Sequence, residues 1–199
     1  LDLLVGGGDG RLSLFRNTGT KTLPSLNLES SFFNGIDCGS AASPELVDFD
    51  NDGDLDGYRS NYGGSGSLVM RRNDLYRNDN GTYIKVTTGA IVTDQDISLA
   101  NLWGDFDQDG DIDCITINEG GVNRYYDNNG SGTFTSIATG DLVTTTANHH
   151  AATAGDYDGD GDLDLFVHAP PATPNGKGLF RNSLSNGNAW VNILCVGTN

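Results

Sequence analysis

Gly155-Asp156-Tyr157-Asp158-Gly159-Asp160-Gly161-Asp162-Leu163-Asp164-Leu165-Phe166-Val167 is the stretch that decides the fold. Five aspartates alternate through nine positions, a glycine stands at the sixth, and a short apolar run follows. Carboxylates and glycine at this spacing describe a tight turn feeding a β-strand, with no helical period on either side. The same frame recurs as Asp48-Phe49-Asp50-Asn51-Asp52-Gly53-Asp54-Leu55-Asp56 and as Asp105-Phe106-Asp107-Gln108-Asp109-Gly110-Asp111-Ile112-Asp113. We number the loops 1, 2 and 3 in chain order; their spacings are 57 and 51 residues.

Working outward, a second marker recurs as Leu14-Phe15-Arg16-Asn17, Leu75-Tyr76-Arg77-Asn78, Tyr125-Tyr126-Asp127-Asn128 and Leu179-Phe180-Arg181-Asn182. Four markers against three loops are reconciled by laying Leu1–Val5 on Leu163–Val167, which puts Asp2 at the ninth position of a fourth loop entered part-way. Self-similarity of this period is the signature of stacked supersecondary units. The boundaries fall near 1–40, 41–96, 97–148 and 149–187, with a last strand at 188–199. Each unit predicts four short antiparallel strands; in the third they are 99–106, 113–117, 122–126 and 133–138. One such sheet is marginal alone and needs neighbours over its faces. The expected fold is therefore all-β, a partial β-propeller of about four blades. The runs Leu3–Val5, Ile115–Ile117 and Leu165–Val167, and the marker aromatics, are expected between blades.

Five carboxylates in nine residues repel one another. At about 6 Å in water each pair costs roughly 0.7 kcal/mol, so the ten pairs of a loop oppose closure unless a cation offsets them. Calcium fits, because it takes six to eight oxygen ligands in a flexible geometry, whereas Mg²⁺ demands a small octahedral shell. In loop 1, Asp48, Asp50 and Asp52 offer side-chain oxygens, Asp54 its backbone carbonyl and Asp56 a bidentate carboxylate, while Gly53 supplies a left-handed turn. The same roles fall on Asp105, Asp107, Asp109, Asp111 and Asp113, and on Asp156, Asp158, Asp160, Asp162 and Asp164. Three Ca²⁺ are expected. An EF-hand is excluded, since position 12 is Arg59, Thr116 and Val167 where that loop needs an acidic residue.

The loops and their following strands resemble FG-GAP/VCBS repeats of integrin-α-type propellers. Asn188-Ala189-Trp190-Val191-Asn192-Ile193-Leu194-Cys195-Val196-Gly197-Thr198 is similar to the opening of the ASPIC/UnbV segment of cartilage-acidic-protein-like secreted proteins. The resemblance implies a seven-bladed propeller with calcium in the first hairpin of several blades, acting in adhesion or as a scaffold. This chain departs from it in blade number, so that further blades or a partner chain would complete the ring.

The remaining residues narrow the function. Eleven Lys and Arg against twenty-seven Asp and Glu give a net charge of −16, which argues against nucleic acid. No stretch reaches the roughly 20 apolar residues of a membrane helix, and Leu1–Val5 lacks the features of a signal peptide, so the chain reads as part of something longer. Cys38, Cys114 and Cys195 are too scattered for a metal or redox motif; Cys114 reads as a buried thiol and a Cys38–Cys195 pair stays open. Asn80-Gly81-Thr82 and Asn129-Gly130-Ser131 are glycosylation acceptors if the chain is secreted. His149 and His150 read as a surface loop, Trp103 and Trp190 as packing residues. Fifteen of the twenty-seven acidic residues belong to the loops, and no nucleophile or phosphate motif stands out, so no enzyme is expected. The expected role is a calcium-stabilised extracellular adhesion or scaffold module with a protein or glycan ligand. The alternatives are a filament subunit that self-assembles by strand addition and a glycan-binding propeller.

Overall fold

The computed structural model describes residues 2–36, 43–63, 71–171 and 178–183. Cys38, Cys195, Trp190 and the whole ASPIC/UnbV-like stretch lie outside the described residues. The first sheet holds β1 (Leu3–Gly6), β2 (Leu12–Asn17) and β3 (Leu26–Ser30), paired in that order. The second runs β4 (Ser43–Val47), β5 (Asp56–Ser60), β6 (Asp74–Asp79), β7 (Thr82–Val86). The third repeats it as β8 (Ser98–Gly104), β9 (Asp113–Asn118), β10 (Arg124–Asn128), β11 (Phe134–Ile137). The fourth has β12 (Ala151–Gly155), β13 (Asp164–His168) and β14 (Gly178–Phe180). All pairings are antiparallel and follow chain order. The fold is all-β, four blade-like sheets that pack in succession as a partial propeller: β1 meets β4, β5 meets β8, and β8 meets β12.

The joints between blades form the core. Between blades 2 and 3, Phe49, Tyr58, Cys114 and Tyr126 are buried, and Trp103 packs edge-on to Tyr58 and Phe134 with ring centroids 5.1 and 6.0 Å away. Such aromatic pairs are worth about 0.5–1.5 kcal/mol each beyond area burial. The Cys114 thiol is free and buried, as its sequence context suggested. Between blades 3 and 4, Phe106, Ile115, Ile117, Leu165 and Val167 pack together. The first blade departs from expectation: Leu3 and Val5 are exposed, because no sheet among the described residues covers that face, while Leu4 packs inward on Leu12 and Ile36.

Two single-turn helices, α1 (Ala90–Thr93) and α2 (Asp141–Thr144), are not visible as a periodic pattern in the sequence. Each follows a glycine at φ about 100°, Gly89 and Gly140, and tucks Ile91, Val92 or Val143 into a joint. Four residues are too few to show a helical period.

At the strand ends away from the acidic loops a neutral network crosses the joints. Asn61 N donates to Asn73 Oδ1 at 2.9 Å, Asn73 Nδ2 to Ser98 Oγ at 3.2 Å, and Ser98 Oγ to Asn118 Oδ1 at 2.9 Å. The next joint repeats it, with Asn118 N and His149 Nδ1 both on Asn123 Oδ1, at 3.0 and 3.1 Å. Ser98 and His149 each stand seven residues before the first aspartate of a loop. His149 is thus fully buried, correcting the surface-loop reading, while its neighbour His150 is exposed. No helix among the described residues is long and apolar enough to cross a membrane.

Candidate metal centres

Each acidic loop is the turn between the first two strands of its blade. The sixth-position glycines, Gly53, Gly110 and Gly161, have φ of 94–97°, as the spacing required. Position 4 is also left-handed, with φ of 60° at Asn51, 59° at Gln108 and 79° at Gly159. Asparagine and glycine tolerate that conformation, and this signal was present in the sequence but passed over.

The first aspartate folds the turn back on itself. Gly53 N donates to Asp48 Oδ2 at 3.1 Å, Gly110 N to Asp105 Oδ2 at 3.2 Å and Gly161 N to Asp156 Oδ2 at 3.1 Å. The fifth closes a smaller turn, with Asp54 N on Asp52 Oδ1, Asp111 N on Asp109 Oδ1 and Asp162 N on Asp160 Oδ1, at 2.9, 2.9 and 3.1 Å.

The ninth aspartate is an anchor as well as a candidate ligand. Asp56, Asp113 and Asp164 are buried; one oxygen of each accepts the N–H of position 2 and the other that of the marker asparagine. Asp2 takes Asn17 N in the same way at 2.8 Å, in keeping with its place as a ninth residue. Asp113 Oδ2 accepts Tyr125 Oη as well, at 3.0 Å, while the other oxygens of Asp56, Asp113 and Asp164 each keep a second lone pair for a cation. Burial pushes the Asp56 and Asp113 carboxyls up to about 6, against the pull of those N–H donors. Asp50 and Asp107 are raised too, by burial first and then by neighbouring Asp52 and Asp109. Asp160 is lowered by the Asp162 N–H and by Arg181.

Carboxylate oxygens converge within 4.8 Å of one another at Asp48, Asp50 and Asp56; at Asp105, Asp107 and Asp113; and at Asp156, Asp158, Asp160 and Asp164. A further set joins Asp107 and Asp109 to Asp127 of the marker strand. Asp52 stands outside these sets, and the seventh-position side chains, Asp54, Asp111 and Asp162, turn elsewhere. Asp54 Oδ2 accepts Asn80 N at 2.8 Å, Asp111 Oδ1 accepts Asn51 Nδ2 at 3.3 Å, and Asp162 Oδ1 accepts Gln108 Nε2 at 2.7 Å. The last two bonds tie successive loops together, a role for position 4 that sequence reasoning missed. It missed the marker asparagine as well: Asn128 Nδ2 donates to Phe49 O and Asn182 Nδ2 to Phe106 O, each at 2.7 Å and each across a blade joint. Four asparagines at one marker position were the available signal.

The donor set suits calcium. Every converging side-chain atom is a hard oxygen, and Asp48 Oδ1 and Asp50 Oδ1 are buried without a hydrogen-bond partner. Leaving such atoms unmatched is costly, and a divalent cation satisfies both.

Residues 105–167 match the FG-GAP-like repeat and residues 150–191 match the FG-GAP repeat. Together these matches span residues 105–191, the stretch that includes loops 2 and 3. No curated protein matches it. Among solved structures it is similar to an Agrocybe aegerita lectin described by its specific recognition of non-reducing terminal N-acetylglucosamine, at 16% identity and a TM-score of 0.46. That likeness covers 84% of this chain and 46% of the lectin chain, so the chain spans less than half of that protein.

Proposed function

We propose that this chain is a calcium-stiffened, non-catalytic binding module that works outside the cell, where calcium is high enough to fill open oxygen sites. The observation that carries the reading is the pair of buried, unpartnered oxygens on Asp48 and Asp50 inside a turn that occurs three times with one hydrogen-bond pattern. The ion would be held by Asp48, Asp50 and Asp56 in loop 1, by Asp105, Asp107 and Asp113 in loop 2, and by Asp156, Asp158, Asp160 and Asp164 in loop 3. The backbone carbonyls of Asp54, Asp111 and Asp162 would complete the shells. Bound calcium supplies positive charge that cancels the repulsion among these carboxylates and stabilises the folded state by mass action.

The chain's own residues do the rest. Asp56, Asp113 and Asp164 fasten each loop to its marker strand, and Asn51 and Gln108 fasten each loop to the next. The result is a stiff row of loops on one edge of the blades, suited to presenting side chains to a partner. Limited proteolysis tests this: cleavage in millimolar calcium should be slow and should speed up on chelation. Equal rates would count against a stiffening role.

A second reading is glycan binding by the side chains that the row of loops presents. Binding on a glycan array would select this reading. An empty array, with the protein monomeric by size-exclusion chromatography, would leave a protein-binding scaffold and remove both the glycan and the filament alternatives.

A further inference from the structure

The three loops share a frame but not an electrostatic setting. The difference lies in one residue of each marker strand, between the aromatic and the asparagine: Arg77, Asp127 and Arg181. In blade 4, Arg181 Nε lies 2.8 Å from Asp158 Oδ2 and its Nη2 3.1 Å from Asp160 Oδ2, so a guanidinium sits on two of the four converging carboxylates of loop 3. In blade 2 the equivalent Arg77 is held off loop 1, because Asp79 takes its Nε and Nη2 at 2.8 and 2.9 Å. The residue two places after Arg181 is Ser183, which carries no charge and offers no such clamp. Arg16 in blade 1 is clamped from the next strand, where Glu29 takes its Nε and Nη2 at 2.6 and 2.8 Å, and its Nη1 reaches Asp2, the ninth-position aspartate, at 3.1 Å. In blade 3 the marker position is itself acidic, and Asp127 brings a further carboxylate within 4.8 Å of Asp107 and Asp109.

We propose that this marker residue sets the calcium affinity of the loop in its own blade, with loop 2 filling first through Asp127 and loop 3 last, after its ion displaces the internal counter-ion Arg181. The proposal rests on the calcium reading above and adds to it an order of filling and the residues that fix the order. The expected size follows from Coulomb's law, since one unit charge at about 6 Å from a divalent ion in water changes its affinity by about tenfold. Ligand charge is also the general means by which oxygen-only calcium sites are graded. Arg77, already neutralised by Asp79, leaves loop 1 between the two.

Isothermal titration of the metal-free full chain with calcium tests the order. The wild type should show three sites of unequal affinity. Arg181→Gln should tighten the weakest site about tenfold, and Asp127→Asn should weaken the tightest by a similar factor. Ser183→Asp, at an exposed position, should reproduce the Arg181→Gln result by giving Arg181 the clamp that Arg77 has, and it leaves every proposed ligand in place. Three occupied sites whose constants all stay within about twofold of wild type in these variants would overturn the ranking while leaving the calcium reading intact. A wild-type chain that takes up no calcium would overturn the reading itself.

Discussion

Gln108 Nε2 donates to Asp162 Oδ1 at 2.7 Å and to Gly161 O at 2.8 Å, joining two acidic loops across a stretch of more than fifty residues. Asn51 makes the corresponding contact to Asp111. The loops are therefore a connected row.

Removing that amide should loosen the row. Gln108→Ala leaves Gly161 O and Asp162 Oδ1 without a partly buried donor, one of them charged, and should cost about 1–3 kcal/mol of folding free energy. Urea unfolding in calcium-containing buffer measures it, and a loss below a few tenths would mean that the contact is idle.

The marker asparagine should matter as much. Asn128 is buried and its Nδ2 donates to Phe49 O across the joint and to Ile112 O in the acidic loop of its own blade. Asn128→Ala strands two carbonyls, for a predicted loss of about 2–4 kcal/mol. The check is again equilibrium unfolding, with hydrogen exchange expected to rise first around Phe49 and Ile112.

Calcium and protons should compete. In the metal-free fold, burial raises Asp56 and Asp113 to about 6, above the ordinary carboxylate value they regain on unfolding. These two groups therefore stabilise the metal-free fold fully below about pH 4, and that contribution disappears as pH rises through about 6. Calcium must expel the same protons. The rise in melting temperature that calcium gives to chelator-treated, dialysed protein should accordingly be small at pH 5, grow through pH 6 and level off above pH 7. A calcium effect independent of pH would contradict the burial of these carboxyls.

His149 carries the opposite sign. Burial lowers its pKa, so the fold needs it neutral, and the stability it contributes is present above the unfolded value near 6.5 and lost as pH falls through the lower folded value. His149→Ser, which installs the residue found at the equivalent joint as Ser98, should flatten the acid limb of the stability profile while lowering stability at neutral pH through the cavity it leaves. Thermal melts from pH 5 to 8 would show both changes.

The parts of this molecule legible in its sequence are those written as repeated local chemistry. The alternating aspartates with glycine at the sixth place located three turns between first and second strands, and Asp2 was recognisable as a displaced ninth residue. The parts that were not legible depend on contacts between units. His149 looks like a loop residue until the sheet joint places Asn123 Oδ1 against its Nδ1. Nothing local in Asn128 reveals that its amide reaches a carbonyl 79 positions earlier. The helices α1 and α2 are set by one left-handed glycine each and are too short for a period. Asp127 in place of arginine was visible, but its consequence required knowing that the marker strand passes beside the loop.

The central claim is that divalent calcium holds the acidic turns closed, and a count of bound metal tests it most directly. Intact protein equilibrated with millimolar calcium and examined by native mass spectrometry should carry three ions per chain, and stripping them should lower the melting temperature. A chain that carries none, and melts at one temperature with and without chelator, would contradict the account.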